Sequence, residues 1–159
     1  MPDQNEYQKA RWSAVESLIE RWLSARQQLI VNYCATSGLQ LLGKPGTSGS
    51  SRARLQLLCQ QLLDYLSAGH FEIYYELLRE AESFDDGSAA LARELLPLIA
   101  HTTEIGVQFN DRYAETAGDH DAGELARDLS ELGEILAERF EYEDRLITFL
   151  HAAHRQLVA

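Results

Sequence analysis

Apolar side chains recur every third or fourth residue along nearly the whole chain, and strand-like alternation is absent. Val15, Leu18/Ile19, Trp22, Leu29 and Tyr33 trace one such stripe, which predicts an amphipathic helix over residues 5–35, ending at Thr36-Ser37-Gly38. Residues 43–51, GKPGTSGSS, have the composition of a flexible loop. Leu55, Leu58/Cys59, Leu62 and Leu66 predict a second helix from about 52 to 68. The pattern resumes beyond Gly69 through Phe71, Tyr74, Leu77/Leu78 and Ala81. A glycine inside a helix costs about 1 kcal/mol, so helix 2 is expected to be kinked or broken near Gly69. Ala92, Leu95/Leu96, Ile99, Thr103, Val107 and Tyr113/Ala114 mark a third helix over 88–117, with a kink expected at Pro97. Asp121 and Glu124 resemble a capping box opening a fourth helix, 122–157, on Leu125, Leu129, Leu132, Leu136, Phe140, Ile147 and Leu150. Four long amphipathic segments with short connections predict an all-α fold. The expectation is an up-down four-helix bundle forming one domain over 1–159.

Charge narrows the function. The chain carries a formal net charge of −11. That argues against a protein that grips nucleic acid by neutralising phosphates, and against a basic helix lying on a membrane. The acidity is lopsided: residues 1–79 hold eight basic and seven acidic side chains, residues 80–159 six and eighteen. Such asymmetry suggests a directed electrostatic surface. Cys34 and Cys59 lie in apolar helical patterns without a Cys-x-x-Cys, and both are expected to be small buried hydrophobes in a reducing compartment. The opening MPDQNEYQKARW carries no apolar signal segment, and no apolar run reaches membrane-spanning length, so the expected location is the cytoplasm.

No constellation for catalysis stands out. A di-metal site in a bundle needs Glu-x-x-His motifs on facing helices, and the sequence has none. His151-x-x-His154 and His101-x-x-Glu104 lack a matching second half, and His120-x-x-x-Glu124 straddles a helix start, so neither a metal nor another cofactor is expected. Neither cysteine has a basic neighbour at helical spacing, and GKPGTSGSS lacks the Gly-Lys-Ser/Thr ending that grips phosphates.

The segment Asp64-Tyr65-Leu66-Ser67-Ala68-Gly69-His70-Phe71-Glu72 is more informative. On a continuous helix, Asp64, Ser67 and Phe71 share the face opposite the local core stripe. One orienting charge beside one exposed ring suits a helix-binding surface. If Gly69 instead breaks the helix, Phe71 returns to the core, and Asp64 and Ser67 are solvent-facing or capping groups. Trp22 fits the core stripe of helix 1, next to Arg21. Arg139 and Glu143 form an i, i+4 pair expected on a solvated face. Asp144 adjoins the helix 4 stripe and is a candidate for a partly buried carboxylate paired with Arg21 or Arg26.

These segments resemble the Rsd/AlgQ family of bacterial anti-sigma factors over most of the chain. The marks are Arg21-Trp22-Leu23 with Arg26-Gln27-Gln28-Leu29, the block Leu63 to Phe71 with Glu72 and Tyr74, His120-Asp121, Leu129-Ser130-Glu131-Leu132-Gly133-Glu134, and Arg139-Phe140 with Glu143-Asp144. The resemblance implies a four-helix bundle that binds region four of the primary RNA polymerase sigma factor. Region four is the helix-turn-helix that reads the −35 promoter element. Holding it would block core-polymerase and promoter contacts and favour alternative sigma factors, with no enzymatic activity. The matched contact positions are Asp64, Ser67 and Phe71, and His70, Trp22 and Arg21 join them from the same segments. A monomer in a 1:1 complex is the expected stoichiometry, without direct nucleic-acid or membrane contact. The competing readings are a metal- or ligand-binding bundle and an adaptor for another basic protein.

Overall fold

A computed structural model describes residues 4–42, 48–69, 73–84, 87–115 and 122–158. Among these residues the fold is all-helical, with five helices and no strand: α1 (Gln4–Leu42), α2 (Ser48–Ala68), α3 (Tyr74–Phe84), α4 (Ser88–Tyr113) and α5 (Ala122–Val158).

Several boundaries differ from the sequence expectation. α1 runs through Thr36-Ser37-Gly38 to Leu42. The Thr36 hydroxyl donates 2.7 Å back to the Asn32 carbonyl, so it is satisfied inside the helix and does not end it. α2 begins at Ser48, within the stretch expected as a loop, and residues 43–47 lie outside the described ones. α4 continues through Pro97 as one helix of 26 residues. It starts after Gly87, whose φ of 94° is the left-handed conformation that glycine adopts without a Cβ clash. Near the expected interruption, α2 ends at Ala68 and α3 starts at Tyr74. Gly69 and Ile73 have the wider π-type winding, which often accompanies functional sites, and residues 70–72 lie outside the described ones.

Buried residues fall on stripes with alternating steps of three and four. On α5 the stripe is Leu125, Leu129, Leu132, Leu136, Arg139, Glu143, Leu146, Leu150 and Ala153, all buried. On α4 it is Ser88, Ala92, Leu95, Ile99, Thr102, Gly106, Phe109 and Tyr113. Ala92, Leu95, Ile99 and Tyr113 match the expected α4 stripe, while in its middle Thr102 and Gly106 are buried in place of Thr103 and Val107, which are half-buried. Trp12, Val15, Ile19, Trp22 and Leu29 supply the α1 side of the core. Each fully buried Leu, Ile or Phe contributes about 1.5–3 kcal/mol, so these stripes dominate the folding free energy. Cys59 is buried as expected, whereas Cys34 is exposed because it lies between stripe positions.

Cross-helix contacts give the register. Moving up α1, partners on α5 descend: Trp12 stacks on His154, Arg26 pairs with Asp144, and the Tyr33 hydroxyl donates to the Leu129 carbonyl. Partners on α3 and α2 descend likewise: Arg11 with Glu80, Trp22 with Tyr74, Asn32 with Gln61. On α4, Thr102 meets Arg139 and Arg112 meets Asp128 of α5.

Candidate partner-binding groove and its buried polar cluster

α1 and α2 flank a groove of about 320 Å³. Leu18, Arg21, Trp22 and Ala25 line it from α1, Asp64, Tyr65 and Ala68 from α2, with Ile73 at the α2–α3 junction. Three of the sequence-predicted site residues, Arg21, Trp22 and Asp64, therefore share one concavity. Arg21 and Asp64 are exposed on opposite walls. Neither has an ion-pair partner among the described residues, so both charges are available to a visitor. Trp22 is only 2% exposed, and its indole N–H has no acceptor among the described residues. Ser67 is half-buried and is not among the lining residues. His70 and Phe71 lie outside the described residues.

A buried polar cluster adjoins this groove, built from residues that occupy stripe positions. Arg139 and Glu143 are both 0% exposed, which overturns their expected place on a solvated face. The reason is periodicity: the α5 stripe passes through 136, 139, 143 and 146, and the two charged residues stand where leucines stand elsewhere. The Tyr65 hydroxyl donates to the Glu143 carboxylate at 2.9 Å, and the Tyr74 hydroxyl donates to Oε2 at 3.3 Å. Arg139 donates to Thr103 at 2.7 Å, to Thr102 at 3.2 Å, and to the Tyr74 hydroxyl. Its Nε lies 3.7 Å from Glu143 Oε1.

Arg26 closes the cluster from α1. Its Nη1 meets Asp144 at 2.7 Å and its Nη2 lies 3.9 Å from Glu143. The guanidinium also sits 4.8 Å above the Phe140 ring, a cation–π contact. Asp144 does pair with Arg26, one of the two expected partners, but it is 59% exposed rather than partly buried; Glu143 beside it is the buried acid. Burial pushes the Glu143 carboxyl up to about 7, against the opposing pull of Arg139, Arg26 and the two tyrosine hydroxyls. The same burial raises the Tyr65 and Tyr74 hydroxyls well above the ordinary tyrosine range.

Elsewhere the polar side chains form structural pairs. Arg112 meets Glu124 and Asp128 at 2.8 and 2.9 Å. His151 and His154 pack edge-on and stacked against Trp12. Among the described residues, no group of three His, Cys, Asp or Glu side chains is placed to hold a metal, and no helix is long and apolar enough to cross a membrane.

Residues 1–151 match the family described as regulators of the RNA polymerase sigma(70) subunit, Rsd/AlgQ. The chain belongs to this family. Its relatives include the regulator of sigma D of Shigella dysenteriae, 39% identical over 142 residues, covering 87% of this chain and 86% of the relative. The regulators of sigma D of Yersinia pseudotuberculosis and Yersinia enterocolitica are each 37% identical over 131 residues, covering 82% of this chain and 77% and 78% of the relatives. The family is one of transcription regulators and not of enzymes.

The sequence pointed to three of the groove residues, Arg21, Trp22 and Asp64, but not to the cluster beside them. The available signal was continuity: extending the three–four spacing of α1 and α5 without a gap lands on Arg26, Arg139 and Glu143.

Proposed function

We propose that this chain is an anti-sigma factor that binds region four of the primary RNA polymerase sigma factor through the α1–α2 groove. Family membership supports the regulatory role. The observation that carries the site is the shared concavity of Arg21, Trp22 and Asp64, with a charge on each wall that has no ion-pair partner among the described residues. Asp64 and Arg21 orient the partner, Trp22 lines the groove between them, and Ser67, His70 and Phe71 are the further contact residues that the family resemblance implies. The scaffold is an up-down four-helix bundle in which α2 and α3 together form the second arm, interrupted near Gly69; the descending pairings along α1 support this.

A helix-turn-helix that reads DNA presents Arg and Lys to phosphates and base edges. The acidic second half of this chain would attract that surface, speeding encounter more than it strengthens the final complex. Occupying region four denies it to the promoter and to core polymerase, shifting polymerase toward alternative sigma factors. The complex is a cytoplasmic 1:1 heterodimer without nucleic acid. Stopped-flow association of the chain with isolated region four tests this: the on-rate should fall several-fold between ~50 and ~500 mM salt. A salt-independent on-rate would remove the steering argument, and absence of association would remove the function.

A further inference from the structure

We propose that Arg139, which lies outside the groove, is a positioning residue for it, holding Tyr74 directly and Tyr65 through Glu143 so that the groove keeps one shape. This rests on the partner-binding reading of the groove. Tyr65 lines the groove while its hydroxyl donates to both Glu143 oxygens at 2.9 Å. Trp22 also lines it, and packs edge-on against the Tyr74 ring with centroids 5.6 Å apart. The Tyr74 hydroxyl in turn accepts from Arg139 and donates to Glu143. Both groove aromatics are thus tied, one step back, to a single guanidinium.

The reach of that guanidinium makes it a linchpin. It donates to Thr102 and Thr103 of α4 and Tyr74 of α3, and faces Glu143 on its own helix. It also comes close to the end of α2: a Cβ added at Gly69 would stand 3.0 Å from Nη2 and 2.9 Å from the Tyr74 hydroxyl. Glycine at 69 is what lets the backbone below Asp64 and Ala68 approach the pair. A planar, five-donor fork serves partners on several helices in one fixed geometry, where an ammonium offers three donors from a single freely rotating point. Buried ion pairs add little net stability over apolar replacements of similar volume. Geometric registration is therefore the better account of charges in these core positions.

The test titrates isolated region four of the primary sigma factor into the full chain by calorimetry, comparing wild type, Arg139→Lys, Tyr74→Phe and Leu125→Ala. Leu125 is a buried core residue on α5, fourteen positions or about 21 Å along the axis from Arg139, so its truncation weakens the fold away from the groove. Circular dichroism and amide exchange at residues 65–68 accompany each titration. Arg139→Lys and Tyr74→Phe should each weaken binding at least fivefold and speed exchange at 65–68, while Leu125→Ala binds within twofold of wild type. Arg139→Lys and Tyr74→Phe both binding within twofold of wild type would overturn the positioning role alone. Equal weakening by Leu125→Ala would overturn it too, by reducing the effect to global stability. Should Arg139→Lys fail to fold, Tyr74→Phe, which keeps the ring, decides. Absence of binding by wild type would instead strike the partner-binding reading, and the positioning role with it.

Discussion

Replacing Arg139 by Met separates the two places the residue could occupy. On a solvated helix face, an i, i+4 pair with Glu143 contributes about 0.2–0.5 kcal/mol. In the observed position both side chains are 0% exposed, and Arg139 serves Thr102, Thr103, Tyr74 and Glu143. Arg139→Met leaves the Glu143 carboxylate buried with only Arg26, 3.9 Å away, as a counter-charge. Removing one partner of a buried pair costs about 3–5 kcal/mol. For a chain of this size each kcal/mol moves the melting temperature by about 2–4 °C, so the expected fall is about 6–20 °C. The double variant Arg139→Met/Glu143→Leu should recover part of the loss, because no lone charge stays buried. It should remain about 1–3 kcal/mol below wild type because the Tyr65 and Tyr74 hydroxyls lose their acceptor. Urea unfolding followed by circular dichroism at pH 9, where the Glu143 carboxyl is ionised in wild type, measures all three. A loss below ~1 kcal/mol for the single variant, or a double variant worse than the single, would refute the buried cluster.

Gly69→Ala should destabilise the chain by about 1–3 kcal/mol, read in the same urea titration, because the new methyl meets the Tyr74 hydroxyl and Arg139 at 2.9 and 3.0 Å; a neutral substitution would contradict the close approach. Glu143 should also leave a signature in pH dependence. Its carboxyl is raised in the fold from an ordinary 4.5 to about 7, so between those values the native state holds a proton that the unfolded chain has lost. Stability from this group is therefore greatest below about 4.5, falls as pH rises toward 7, and is flat above, a change of order a few kcal/mol. Glu143→Gln should flatten that segment of the urea-midpoint profile; parallel profiles would show that Glu143 titrates normally.

Long helices were legible because hydrophobic periodicity is a local signal that survives without tertiary knowledge. The apolar stripes of α1, α2 and α5 emerged at nearly the residues that are buried, and Leu55, Leu58, Leu62 and Leu66 all lie at 2% exposure or less. On α4 Thr102 and Thr103 are indistinguishable by polarity and Val107 is more apolar than Gly106, so only packing selects Thr102 and Gly106 over Thr103 and Val107. Gly106 is chosen by its neighbour: a Cβ there would come 2.7 Å from a Leu66 methyl. Charge at a core position is the harder case. Arg139 and Glu143 look solvated to any rule that equates charge with exposure, and their burial depends on tyrosines from α2 and α3 that are 65–78 residues away in sequence. The groove was partly legible. Arg21, Trp22 and Asp64 carried family-like motifs, yet nothing local says that α1 and α2 pack so as to bring them to one concavity.

The central claim is that the α1–α2 groove receives region four of the sigma factor, and Asp64 tests it most directly because it is exposed and its truncation need not disturb the core. Calorimetric titration of region four should give a 1:1 complex with wild type. Asp64→Ala should weaken it at least tenfold, about 1.4 kcal/mol, with helicity unchanged. Glu134→Ala, on an exposed position of α5, should bind within twofold of wild type. Tight binding by Asp64→Ala, or equal losses from Asp64→Ala and Glu134→Ala, would contradict the account.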